Sequence, residues 1–208
     1  MPCYDSLLFY FIFLALIAIV YLHLMKIVVA KLYFFLFRWK LDAQLTPEMR
    51  HSVLIGAPHT SNWDFPVALC ALWLLRLRVR DLIKDYYTKS FFGLLFRWTG
   101  GVGVDLNQST NMVQLSIAFL QSHNPMAIVL APEGSRAAVE RWKTGFYYIA
   151  LGAGVPVSLG YLDYKSRTAG IGPCFYPTGD FEKDMSFIAE FYLDKTGKYP
   201  EQYNPKIY

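Results

Sequence analysis

The chain has 208 residues, of which 54% are apolar and only 17% charged, with a formal net charge of +4. That length suits one core of about 100 to 200 residues with an appendage and would leave two full domains cramped. The composition leans toward membrane contact without the series of long apolar segments of a polytopic protein, and the modest positive charge suits anionic lipid head groups or phosphorylated substrates rather than nucleic acid. Cys3, Cys70 and Cys174 are widely spaced and odd in number, so neither a disulfide framework nor a zinc-ligand pattern follows, and a reducing compartment is expected for the main domain.

The first element is LLFYFIFLALIAIVYLHLM, Leu7 to Met25, an uncharged run of 19 residues. A helix needs about 20 such residues to cross a bilayer, so this run reads as one transmembrane helix. Asp5 precedes it, whereas Lys26, Lys31, Arg38 and Lys40 follow it. The positive-inside rule therefore puts the remainder on the cytoplasmic side. A signal peptide would start basic and end at a small-residue cleavage site, and this segment has neither feature. The next stretch, IVVAKLYFFLFRWK, mixes aromatic and basic residues, as a helix at head-group level does. A start at Met25 would leave an interfacial protein with no full span. Residues 1–40 thus read as a membrane anchor and residues 41–208 as a cytoplasmic α/β domain.

A polar connector, LDAQLTPEMR, leads into SVLIG, and short apolar runs then alternate with longer helix-like segments. The spacing predicts strands over Ser52 to Gly56, Asp81 to Tyr87, Val102 to Asp105, Met126 to Leu130, Val155 to Tyr161 and Ile171 to Tyr176. Helices are predicted over Phe65 to Leu77, Phe91 to Trp98, Ser109 to Ser122, Gly145 to Gly152 and Phe181 to Lys195, the last capped by Asp180. Strands alternating with helices predict an α/β fold.

After SVLIG comes HTSNWD, in which Ser61 and Asn62 are candidate N-caps for the apolar periodicity that follows. His59 then sits on a strand-to-helix turn with Asp64 in the first helical turn. A carboxylate there can fold back onto one imidazole nitrogen, fixing the tautomer, while the other nitrogen faces a cleft as a general base. The competing reading is a capping aspartate beside an incidental histidine, as for His23, His51 and His123, which lie in a helix, a connector and a helix end. The run MAIVLAPEGSR is again a strand broken at a proline. Its loop carries Glu133, Gly134, Ser135 and Arg136; Gly134 permits a tight backbone path, and Arg136 offers a planar donor fork to a phosphate. Lys143 and Thr144 precede the next helix, whose N-terminal amides can add to an anion site. A solvated loop with a surface ion pair is the alternative.

His59 with Asp64, followed by Glu133-Gly134-Ser135-Arg136, resembles the glycerolipid acyltransferase family that includes the 1-acylglycerol-3-phosphate (lysophosphatidate) acyltransferases, over about Lys40 to Tyr161. The resemblance implies a mixed sheet flanked by helices. It also implies that His59 deprotonates a glycerol hydroxyl for attack on a thioester, that Asp64 orients His59, and that Glu133, Gly134, Ser135 and Arg136 form a substrate-phosphate site. Three positions depart from the family pattern. Ser135 stands where threonine is more usual, Leu106 follows Asp105 where a second phosphate-binding arginine is usual, and Leu159 replaces a second proline in VPVSLG. Lys89 and Lys143 are placed to supply the missing charge.

The resemblance implies transfer of a fatty acyl group from acyl-CoA or acyl-carrier protein, as co-substrate, to lysophosphatidic acid, in contact with membrane lipids. The rivals are transfer to another lysolipid such as an amino-acid lipid, a thioester or lipid-ester hydrolase in which His59 activates water, and a silent lipid-binding protein. With neither a glycine-rich phosphate loop nor a metal-ligand cluster in the sequence, no metal or other cofactor is expected.

Overall fold

The computed structural model describes residues 21–22, 24–84, 89, 93–104, 112–204 and 206–208. Within them, the strands are β2 (Val53–Ala57), β3 (Val79–Lys84), β4 (Gly101–Val104), β5 (Ala127–Leu130), β6 (Val157–Asp163) and β7 (Thr168–Phe175), of which β2 and β5 are continuous apolar runs. The helices are α1 (residues 24–36), α2 (Asp64–Leu74), α3 (Gly93–Thr99), α4 (Met112–Ser122), α5 (Gly145–Ala153) and α6 (Phe181–Tyr192). Another strand, β1 (Lys40–Ala43), begins at the last residue of the expected anchor and runs into the stretch expected to be a polar connector. It pairs in parallel with β7 at the sheet edge, with three of its four residues exposed, so it carries no apolar alternation by which it could be recognised.

The seven strands lie in the order β1-β7-β6-β2-β5-β3-β4. Every pairing is parallel except the β6–β7 hairpin, so the sheet is mixed and flanked by helices, as expected. β2 lies centrally and is almost wholly buried, which is why VLIGA reads as a continuous apolar run rather than an alternating one. On one face, Val53, Ile55, Val157 and Leu159 pack against α5 and α6 through Phe146, Tyr147, Met185, Ile188 and Tyr192. On the other, Ala30 and Phe34 of α1 and Val67, Cys70 and Ala71 of α2 cover Leu162 and Ala169.

Helix α6 follows its amphipathic pattern, with Met185, Ile188 and Tyr192 buried at helical spacing. Asp180 caps it as expected, accepting the Lys183 N–H at 3.2 Å. Helix α2 differs from expectation. Neither Ser61 nor Asn62 is its N-cap; Trp63 holds that position without a side-chain bond, and Asp64 is the first helical residue. The Ser61 hydroxyl instead accepts the Trp63 N–H at 3.2 Å.

Most of the expected span Leu7 to Met25 lies outside the described residues, as do Asp105 and Leu106. Among the described residues no helix is long and apolar enough to cross a membrane.

Candidate active site

Strands β2 and β5 are parallel neighbours, so the loops leaving their C-terminal ends emerge side by side. This brings His59 to Asp64 against Glu133 to Arg136. β2 is also flanked by β6 on its other side, so the chain leaves the sheet centre in both directions. In open α/β sheets such a switch point, at the carboxyl ends of the strands, is where ligands bind.

The Asp64 carboxylate is buried and almost fully engaged. Its Oδ2 accepts the backbone N–H groups of Thr60 and Ser61, each at 2.9 Å, and faces His59 Nδ1 at 3.1 Å. Its Oδ1 accepts the Tyr164 hydroxyl at 2.6 Å. A carboxylate that can only accept therefore meets donors on every side, which assigns the proton on His59 to Nδ1. Nε2 is left as the basic nitrogen, makes no hydrogen bond among the described residues, and belongs to a side chain that lines a cavity beside the two loops. Burial first, and then the bond to Asp64, push the Tyr164 hydroxyl far above its ordinary pKa, so it remains a donor.

Glu133 turns inward. Its Oε2 accepts the His59 backbone N–H at 2.7 Å, and its Oε1 is buried with no partner among the described residues. It thus braces the backbone of the histidine loop from beneath. Burial pushes this carboxyl up to about 7, against the opposing pull of the His59 amide and ring. Its ordinary value is 4.5, so in the window up to about 7 the folded protein keeps a proton that the unfolded chain has lost. Stability must then fall as pH rises through that window and flatten above it. Denaturant midpoints taken from about pH 5 to about pH 7.5 are expected to fall less in Glu133→Gln than in the wild type. Parallel curves would refute the assignment.

The other loop residues separate in space. Gly134 has φ 65, the left-handed region that favours glycine, and a Cβ there would meet Cδ, Cε and Nζ of Lys143 at 2.8 to 2.9 Å. Lys143 is held over the loop by its backbone N–H, which donates to Pro132 O at 2.8 Å. The Ser135 hydroxyl accepts the Ala137 N–H within its own turn at 3.1 Å. Arg136 is exposed and lines the cavity together with His59. Lys89 is exposed and does not line that cavity.

Tyr164 and Gln202 were not foreseen. The Gln202 side-chain amide, with its nitrogen turned inward, donates to Thr60 O at 3.1 Å and Arg136 O at 2.6 Å, tying the two loops together. Both residues act from over sixty positions beyond the motifs they touch, and no local pattern announces such contacts. His51 and His123 take structural places: His51 Nδ1 faces Met126 O at 3.1 Å, and His123 stacks on Phe119.

The cavity, of about 530 Å³, runs between α2 and the sheet. His59, Asn62 and Arg136 line it together with apolar walls from Leu54, Leu69, Leu72 and Val129. A base and a guanidinium thus share one cavity with a hydrocarbon-compatible wall.

Residues 41–158 match the model of the Acyltransferase family. Among curated proteins no sequence matches the chain. Among solved structures, the crystal structure of the 1-acyl-sn-glycerophosphate (LPA) acyltransferase PlsC from Thermotoga maritima is similar at a TM-score of 0.56 and 16% identity, covering 81% of this chain and 76% of that one. The likeness at that identity is one of fold.

Proposed function

The chain belongs to the Acyltransferase family, and on that premise we propose that it moves a fatty acyl group from acyl-CoA or acyl-carrier protein to the free hydroxyl of lysophosphatidic acid, giving phosphatidic acid. The observation that carries this reading is the shared cavity: a His59–Asp64 pair with a basic nitrogen to spare, Arg136, and apolar walls. The acyl chain lies in the apolar part, and the acceptor phosphate meets Arg136. His59 Nε2 takes the proton of the acceptor hydroxyl as that oxygen attacks the thioester carbonyl. The tetrahedral intermediate collapses with cleavage of the carbon–sulfur bond, and the departing thiolate receives the proton from the imidazolium. No enzyme nucleophile is needed. Base catalysis contributes about 10²- to 10⁴-fold, and positioning with stabilisation of the oxyanion supplies the rest. Asn62, exposed and on the cavity wall, is the side chain placed to donate to that oxyanion.

The test is transfer from acyl-CoA to lysophosphatidic acid in vesicles, with phosphatidic acid and free fatty acid separated. Transfer only to a different lysolipid would overturn the acceptor, and acceptor-independent fatty acid would replace transfer by hydrolysis. Arg136→Ala is expected to raise the KM for lysophosphatidic acid about 10-fold or more, because charge-assisted hydrogen bonds contribute roughly 1.5 to 3 kcal/mol. Lys143→Ala is expected to raise it less, since this ammonium reaches the loop from the side. An unchanged KM in either variant removes that residue from the phosphate site.

The domain is seated on the membrane through α1 and the apolar run that leads into it, with the catalytic loops on the cytoplasmic side. In support, Met25, Val28, Leu32, Phe35 and Leu36 are exposed along α1, with Phe35 at 80%. Its inward side is fastened by Lys26, which donates to Trp98 O at 2.9 Å and lies over the rings of Trp73 and Trp98. An exposed apolar strip flanked by basic residues suits an interface of acyl chains and anionic head groups. Leu32→Glu with Phe35→Glu is expected to weaken sedimentation with anionic vesicles; equal sedimentation would refute this seating.

A further inference from the structure

One wall residue of the cavity does not fit a guest made only of methylenes. Strand pairing puts Asp81 of β3 in the same cross-strand row as Val129 of β5 and Leu54 of β2. Its side chain lines the cavity with those two residues and with Leu72 and Val79. The carboxyl makes no hydrogen bond or ion pair among the described residues, and burial pushes it up to about 6 while the His59 ring pulls the other way. Val79, two residues back on the same side of the strand, is apolar, so the pattern that would keep this wall hydrocarbon breaks at position 81.

A carboxyl in apolar surroundings costs free energy unless something returns the hydrogen bonds that water gave it. A saturated chain drawn past Asp81 strips its water and returns nothing. A chain with a hydroxyl returns a bond in either protonation state, because a carboxylate accepts and a carboxyl both accepts and donates. Position follows from the sheet. Leu54 lies three residues before Ala57, roughly 10 Å along β2, and β3 is two strands away, roughly 10 Å across the sheet. A chain whose thioester sits at His59 therefore reaches Asp81 well beyond its first carbons.

We infer that Asp81 is a specificity residue for acyl chains that carry a hydroxyl part-way along their length. The inference rests on the acyl-transfer reading and on the seat of the acyl chain in this cavity. The enzyme then takes hydroxylated fatty acyl thioesters in preference to unsubstituted ones, and its product is a lipid with a hydroxyl within one acyl chain.

The test uses the purified full chain, vesicles containing lysophosphatidic acid, and acyl-CoA donors of one chain length: unsubstituted, β-hydroxy and mid-chain hydroxy. The wild type is expected to favour the mid-chain hydroxy donor over the unsubstituted one by about 10-fold in kcat/KM, the scale of one buried hydrogen bond made or left unmade. Asp81→Leu is expected to reverse that order by slowing the hydroxy donor and speeding the unsubstituted one, and Asp81→Asn, which keeps the shape and a polar head, to retain a weakened preference. The same donor ratio in wild type and Asp81→Leu would overturn the inference, as would a preference confined to the β-hydroxy donor. Transfer of the unsubstituted chain by the wild type keeps the acyl-transfer reading whatever the ratio. Absence of transfer from every donor by folded protein takes down both.

Discussion

His59→Ala is expected to lower kcat for acyl transfer by about 10²- to 10⁴-fold while leaving the fold intact. The imidazole is the one group on the cavity wall with a basic nitrogen and a fixed orientation, because Asp64 occupies Nδ1 at 3.1 Å and Nε2 has no partner among the described residues. Truncation leaves the supporting structure in place. The His59 backbone N–H still donates to Glu133, and the Thr60 and Ser61 amides still hold Asp64. The ring is 27% exposed and fills no core site, so the midpoint of denaturation should move little. Some turnover will persist, since aligning hydroxyl and thioester in one cavity accelerates the reaction without a base. The measurement is single-turnover formation of phosphatidic acid at saturating substrates, beside a denaturation curve. A variant that keeps more than about a tenth of wild-type kcat would remove His59 as the base.

How much of this was legible depends on the distance over which each feature is encoded. SVLIG announces β2 because a strand buried on both faces must be apolar at every position, and that property is local. The meeting of His59 and Asp64 was legible for the same reason. Five residues across a strand-to-helix turn leave the carboxylate little choice but to face the ring. Strand β1 was hidden because an exposed edge strand needs no apolar face. The inward turn of Glu133 was hidden too. As a charged residue in a polar loop it read as a partner for substrate, and only the packing of β5 beside β2 places its carboxylate under the His59 amide. Tyr164 lies 100 residues beyond Asp64, in the turn of the β6–β7 hairpin, and nothing near it in the chain marks it as more than a turn aromatic. Local chemistry is written locally, whereas the groups that brace it come from wherever the sheet order delivers them.

Asp64 carries more of the site than any other side chain, and its two conservative truncations should separate in kind. In Asp64→Asn the amide oxygen can keep the Thr60 and Ser61 amides and His59 Nδ1, while the amide nitrogen turns toward Tyr164, whose hydroxyl can rotate to accept. The geometry survives, and the charge that stabilises the imidazolium does not. The fold should hold and kcat should fall about 10²- to 10⁴-fold, with KM for the acyl donor little changed, because the lost interaction strengthens only as His59 takes up the proton. Asp64→Ala leaves two backbone amides, the ring and the Tyr164 hydroxyl without their acceptor in a buried place. Each unsatisfied group costs roughly 1 to 3 kcal/mol, so this variant should lose stability as well as activity. Tyr164→Phe removes one donor from Oδ1 and is expected to lower kcat only a few-fold, since the two amides and the ring still hold the carboxylate. Steady-state kinetics and chemical denaturation of the three variants read the series directly. Equal activity losses in Asp64→Asn and Tyr164→Phe would mean that the carboxylate acts through packing rather than charge. A fully active Asp64→Asn would sever it from the mechanism.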